Sequence, residues 1–386
     1  MEPRRTIGGC GLLFFVSVEA TAFQMRGALL PSLKQAFTVS PSLLGFVATA
    51  GTLGFMLAVL VSGMVAGRID LHQVLFGSVS VVAVSVFFMG VAPIFLVYLL
   101  TLFVRGVAPG PFWALDRAML SHLYPDGRSR IFNVYALVWA VGAASGPLVV
   151  TAALALGNWR FAYLGLALAF LPAVYLVYRL DLPASLGSEE TLRFADLSSV
   201  LRQPGIIGMM VALFLSGGIE GSMFIWLPYF ATEHLRLVHA NLTLTAFLLA
   251  YIPRRFLYSV IVERFRCSID LVLGLSLVAL PLLGVLVFIV SGQALFAAAF
   301  LLGFVVSGFF PTVSAFGVEL APEFSSPVNA LSTAASYSGI ATIPVIVGLI
   351  ASRGSIQRGL ALLPVLLVVF IIVVALMRRH FGTTGT

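Results

Sequence analysis

Charge is scarce in this chain. Lys and Arg number 22 and Asp and Glu 15 among 386 residues, 10% in all, where soluble domains carry about 25%. With 60% hydrophobic residues and a mean hydropathy of +1.08, it has too little polar surface to dissolve in water, so a soluble fold is excluded and lipid must be its solvent. Cysteine is scarcer still: Cys10 and Cys267 both map to the cytoplasmic side, and no disulfide framework is expected. There is no Gly-x-x-x-x-Gly-Lys-Ser/Thr loop to cradle a nucleotide, no His-Glu-x-x-His, and no Gly-x-Ser-x-Gly in a hydrolase context. His72, His122, His234, His239 and His380 fall in loops or at span ends. Metal-dependent and nucleophilic enzymes and ATP-driven pumps are thereby argued against, and no cofactor or metal is expected. The formal charge of +7 does not imply nucleic acid, because the basic residues stand as ones and twos between apolar runs.

Long apolar runs are what the chain does have. A helix needs roughly 20 apolar residues to cross a hydrocarbon core of roughly 30 Å. Twelve such runs can be read: Ile7 to Leu30, Ser42 to Ala66, Val74 to Val91, Ile94 to Ser121, Ile131 to Leu156 and Phe161 to Tyr178, then Ile206 to Phe230, Leu242 to Val262, Leu271 to Val290, Ala294 to Leu320, Val328 to Ala351 and Leu360 to Met377. Gly, Pro and charged residues punctuate nearly every gap. Between the two sets of six lies the one long polar stretch, Arg179 to Pro204, carrying Arg179, Asp181, Glu189, Glu190, Arg193, Asp196 and Arg202. The expected architecture is an all-α membrane protein of twelve transmembrane helices in two pseudo-symmetric six-helix bundles, residues 1–178 and 206–386, joined by a linker at 179–205.

The halves repeat. Leu30-Pro31 matches Leu227-Pro228, Gly106 matches Gly303, Pro125 matches Pro322, Gly142 matches Gly339, Pro147 matches Pro344 and Gly157 matches Gly354, all at an offset of 197, and a slip to 196 pairs Arg68 with Arg264. Parallel repeats of this kind are a transporter architecture, with the solute site at midplane. Cytoplasmic loops are enriched in Lys and Arg. With both termini inside, Arg4, Arg5, Arg68, Arg128, Arg130, Arg179, Arg193, Arg202, Arg264, Arg266, Arg378 and Arg379 fall on that side. This supports cytoplasmic termini in the cell membrane and an even number of spans, the first being a retained helix rather than a cleaved signal.

Gly63-Met-Val-Ala-Gly67-Arg68-Ile69-Asp70 resembles a degenerate first cytoplasmic loop motif of the major facilitator superfamily, with Gly67 where that family has an acid. Arg255 followed by Glu263-Arg264-Phe265 is similar to its second-half counterpart. Gly142-x-x-x-Gly146-Pro147 looks like the family's helix-bending motif, and Trp159-Arg160 is typical of it. Gly217-Gly218-Ile-Glu220-Gly221 through Trp226-Leu-Pro228-Tyr229, with Phe310-Pro311-Thr312, resembles the sugar-permease branch related to fucose–proton symporters. The resemblance implies alternating access about a midplane site, gating at Arg68, Glu263 and Arg264, and a sugar as solute.

A charge at the bilayer centre costs roughly 2.5 to 3.5 kcal/mol even on lenient scales, so each one needs a partner or a wet cavity. Glu19 and Arg26, seven residues apart in the first span, share one helix face and line one cavity or form a structural pair through other helices. Arg105, Phe112 and Asp116 share a stripe of the fourth span. Asp116 and Arg117, near the cytoplasmic end, suit an inter-helix gate. Glu220, among Gly217, Gly218 and Gly221, is a protonatable midplane carboxyl, the simplest coupling site for a proton. Arg254 and Arg255 point apart, since neighbours differ by 100° around a helix. Five arginines in spans against Glu19, Asp116 and Glu220 suit an anionic solute, whereas a sugar calls for Trp113, Trp139, Trp226, Asn133 and Tyr229.

The leading expectation is a monomeric, proton-coupled secondary transporter of a sugar or small organic anion. Substrate-binding or coupling roles fall on Glu19, Arg26, Arg105, Trp139, Glu220, Trp226, Arg254 and Arg255. An efflux antiporter for apolar or cationic compounds, and a non-transporting receptor of the same fold, are the alternatives.

Overall fold

The computed structural model describes residues 2–65, 71–124, 128–179, 201–254, 257 and 268–381. Every regular element among them is helical. In order these are α1 (Glu2–Phe37), α2 (Pro41–Val65), α3 (Leu71–Val91), α4 (Phe95–Val107), α5 (Gly110–Leu123), α6 (Arg128–Ala155), α7 (Arg160–Tyr178), α8 (Pro204–Glu233), α9 (Leu242–Leu249), α10 (Ser268–Phe288), α11 (Ala294–Val306), α12 (Phe309–Leu320), α13 (Ser325–Ser352), α14 (Ile356–Leu360) and α15 (Leu362–Phe381). In hydrocarbon, helices satisfy every backbone group within the segment, which is why a chain this apolar takes no other form.

Eleven of these segments, counting runs across the short breaks as one, are long and apolar enough to cross a membrane among the described residues, and a shorter apolar helix spans Leu242–Arg254. The first helix begins earlier and ends later than the apolar run Ile7 to Leu30. Helix α1 runs on through Pro31 to Phe37, because one proline forfeits only the bond to the carbonyl four residues back. The fourth span is instead two helices, α4 and α5, broken at Ala108–Pro109. Pro109 and Pro111 bring no N–H, and the carbonyls of Arg105 and Val107 lose their usual donors.

Two compact units emerge, one of Met1–Thr38 with Ala50–Thr191, the other of Val39–Thr49 with Leu192–Thr386. Within the first, α1 packs along α6 and α3 along α7; within the second, α8 packs along α13 and α10 along α15. Lipid tails are as apolar as leucine, so such helices associate through close packing of small residues rather than through hydrophobic burial. A Cβ on Gly142 would overlap the Ser17 carbonyl, and one on Gly339 would overlap that of Phe214. A Cβ on Gly106 would overlap the Gly51 carbonyl, and one on Gly303 that of Phe247. Only glycine lets these backbones meet.

The polarity of the molecule is inverted relative to a soluble protein. Leu96, Leu168, Leu277, Ile289, Val365 and Ile372 are exposed, while Glu19, Arg26, Arg105, Asp116 and Arg254 are buried. The span Ile356–Phe381 has the highest hydropathy, 3.3, and is the least buried, whereas Gly9–Phe37 has the lowest, 1.2, and is the most buried. The most apolar helix therefore faces outward and the most polar one faces protein.

Candidate functional site

The first unit buries a charged cluster on α1 and α4. Glu19 Oε1 accepts from Arg105 Nη2 at 2.6 Å, with side chains only 5% and 3% exposed, and the same nitrogen donates to the Glu19 carbonyl at 3.2 Å. The glutamate partner is therefore Arg105 of α4, while Arg26 stands two turns along the same face of α1. Arg26 is 2% exposed. Its Nε donates to the Phe23 carbonyl at 2.8 Å and its guanidinium lies over the Phe23 ring, 3.8 Å from the centroid. Glu19 Oε2, Arg26 Nη1 and Arg105 Nε are buried with no hydrogen-bond partner. Two guanidiniums thus stand with one carboxylate.

At the end of this unit near the α3–α4 turn, Tyr98 and Tyr163 join hydroxyls at 2.7 Å in a buried pair, and the rings of Phe37, Phe95 and Trp159 pack about them. Arg160 of the Trp159-Arg160 motif ties α7 to the α3–α4 turn, its Nη1 donating to the Gly90 and Ala92 carbonyls at 2.9 Å each. Hydropathy gave no signal for these tyrosines. At the other end, buried Asp116 accepts from Tyr135. Trp139 is half-buried on α6. The Arg117 side chain and all of Arg68, Arg255, Glu263 and Arg264 lie outside the described residues.

The second unit builds its polar site on α8, the helical turn that follows α9 at 251–254, and the turn after α11. Glu220 is half-buried and accepts from Tyr251. One turn beyond Tyr251, Arg254 donates to the Ser307 carbonyl. That carbonyl is open for a local reason: the residue four positions on is Pro311, which has no N–H to give it. The break between α11 and α12 at Ser307–Gly308 thus becomes an acceptor for a buried cation. Trp226 is fully buried, its Nε1 donating to the Pro344 carbonyl at 2.9 Å and its ring edge-on to Tyr229. Tyr251 was legible in retrospect, since i and i+3 on a helix share a face with Arg254.

Among the described residues no group of three or more His, Cys, Asp or Glu side chains could hold a metal. What the arrangement can do is hold charge inside each helical unit: a carboxylate with a tyrosine and an arginine beside it in one, and two arginines around one carboxylate in the other.

Fold and site together define a multi-pass helical membrane protein made of a repeated half-bundle with charges buried inside each half. The family model of the Major Facilitator Superfamily matches residues 12–243, more than half of the chain, and the chain belongs to that superfamily of transporters. A relative from Bacillus subtilis (strain 168), the uncharacterised MFS-type transporter YfkL, is 24% identical over 340 residues, covering 85% of this chain and 84% of the relative. Among solved structures, a bacterial homologue of the human lysosomal transporter Spinster superposes with a TM-score of 0.82 at 12% identity, covering 99% of this chain and 98% of that one. The transporter FucP in its outward conformation gives 0.63 at 17% identity, covering 97% and 99%. At such identities these structures share the fold.

Proposed function

We propose that the protein is a monomeric secondary transporter that moves a small solute, a sugar or a small organic anion, across the cell membrane by alternating access of its two halves, coupled to protons. Both termini and the 179–205 linker lie on the cytoplasmic side in this reading, which rests on the distribution of arginines between loops. The observation that carries the reading is the half-buried Glu220 with Tyr251 and Arg254 beside it. A carboxyl that is neither sealed in nor open to bulk water, next to a cation already engaged elsewhere, can be protonated and released as its surroundings change. Gly217, Gly218 and Gly221 flank it with minimal side-chain bulk, and Trp226 and Tyr229 follow on the same helix with their rings edge-on.

Glu19 with Arg105 is the second coupling candidate. Asp116, Arg68, Arg117, Glu263 and Arg264 are assigned to gating. The test is uptake into proteoliposomes holding the full chain under an imposed pH gradient. Glu220→Gln is expected to abolish uphill accumulation while leaving exchange between two equal pools intact. Unchanged accumulation would move coupling away from Glu220, and accumulation lost in Glu19→Gln alone would move it to the first unit.

A further inference from the structure

The first unit carries a mismatch that its own side chains do not resolve. Arg105 takes one oxygen of Glu19, which leaves Arg26 as a second buried guanidinium without a carboxylate of its own. Arg26 Nη1 is a buried donor with no partner, and Glu19 Oε2 is a buried acceptor with no partner. Burying a charge without a counter-charge is costly unless something arrives to pair with it. The ring of Phe23 and one backbone carbonyl steady the Arg26 cation but carry no negative charge.

Geometry says what would fit. Glu19 and Arg26 lie on one face of α1, seven residues and therefore about 10 Å apart along the axis at roughly 1.5 Å per residue. Side chains on a helix lean toward its N-terminus, Glu19 as well as Arg26, and it is the longer reach of the Arg26 side chain that narrows that gap to the length of a short carbon chain. Across from it, residue 51 on α2 is glycine, and a Cβ there would lie 3.0 Å from Arg26 Nη1 and 3.3 Å from Leu102. The guanidinium keeps its position because residue 51 has no side chain. The vacant donor calls for one negative oxygen and the vacant acceptor for a hydroxyl several bonds away.

We infer that the substrate is a hydroxylated monocarboxylate of sugar-acid type, its carboxylate on Arg26 and a hydroxyl on the open oxygen of Glu19. This rests on the transporter reading and narrows it. It also joins two signals that pull apart in the sequence, the surplus of arginine and the sugar-permease likeness, because a sugar acid has both the charge and the hydroxyls. One charge, not two, is expected, since one guanidinium is in excess.

The experiment compares gluconate, hexanoate and sorbitol as ligands of the detergent-purified full chain, read as the shift in melting temperature with concentration, since a ligand of the folded state raises it by mass action. Gluconate has both groups, hexanoate the carboxylate alone and sorbitol the hydroxyls alone. Gluconate is expected to bind about ten- to hundredfold more tightly than either, the worth of a charge-assisted hydrogen bond. Arg26→Gln is expected to remove that advantage over sorbitol, and Arg26→Lys, which keeps the charge but not the planar fork, to retain part of it. Sorbitol or hexanoate binding as tightly as gluconate overturns the inference, as does full gluconate affinity in Arg26→Gln. If Arg26→Gln fails to fold, the three ligands on the unaltered chain still decide. Solute counterflow in proteoliposomes separates the two readings: movement of some other solute with no gluconate binding sinks the sugar-acid assignment alone, and movement of no solute at all sinks the transporter reading with it.

Discussion

The two halves of the chain agree in their backbone contacts and disagree in their charges. Gly142 meets the Ser17 carbonyl and Gly339 meets that of Phe214, and both members of the first pair map onto the second at the 197-residue offset. Gly106 against Gly51 and Gly303 against Phe247 repeat within one residue of it. Yet Glu19 and Arg105, an ion pair in the first half, map onto Ser216 and Leu302, while Glu220, Tyr251 and Arg254 map back onto Phe23, Gly54 and Leu57. The repeat holds where two helices must touch and lapses at the buried charges. A close backbone approach has few solutions, so both copies keep it. A buried charge is costly, and these charges stand in one copy only.

This comparison can be broken in four ways. Glu19→Leu should have the largest effect, about 3–5 kcal/mol, because it leaves two buried guanidiniums with no carboxylate. Glu19→Leu with Arg105→Leu should recover much of that in a melting curve. A double variant no better than the single would mean that the halves differ by something other than this pair.

Next come Gly106→Val and Gly303→Val, each expected to cost about 1–3 kcal/mol from overpacking. The two losses should agree within about a factor of two, and a loss confined to one half would show that the repeated glycines do not do the same job. Tyr251→Phe removes the hydroxyl that holds Glu220 and should cost about 1 kcal/mol. It should also move the pH profile of uptake, a readout that a purely structural tyrosine would leave in place.

The smallest effect belongs to Pro311→Ala, which supplies an N–H for the Ser307 carbonyl and should change stability by less than about 1 kcal/mol. Its value lies in a cycle: Arg254→Ala should cost less in that background than alone, because the carbonyl no longer depends on the arginine. Strict additivity would remove the link between the helix break and the buried cation.

Much of the molecule was written in residue order. Length, hydropathy and the Gly and Pro spacing determined the type of spans and the repeat, because a lipid solvent leaves so few backbone forms to choose from, while the superfamily was legible only through its motif likenesses at residues such as Gly63, Arg68 and Gly142. The list of mid-membrane charges could also be read directly, since each costs enough to be deliberate. Which charge meets which could not. Helical periodicity put Glu19 and Arg26 on one face of α1 without naming a partner for either, and the bond of Glu19 goes to Arg105 on α4, 86 residues away. Tyr98, Tyr163, Tyr135 and Tyr251 passed unnoticed, since a tyrosine counts as apolar in hydropathy until tertiary packing gives its hydroxyl a partner. The sequence by itself determined the solvent, the helices and their twofold repetition through local chemistry along one chain. Only the tertiary structure decided the pairings, because a hydrogen bond reaches about 3 Å and sequence separation says nothing about which groups come that close.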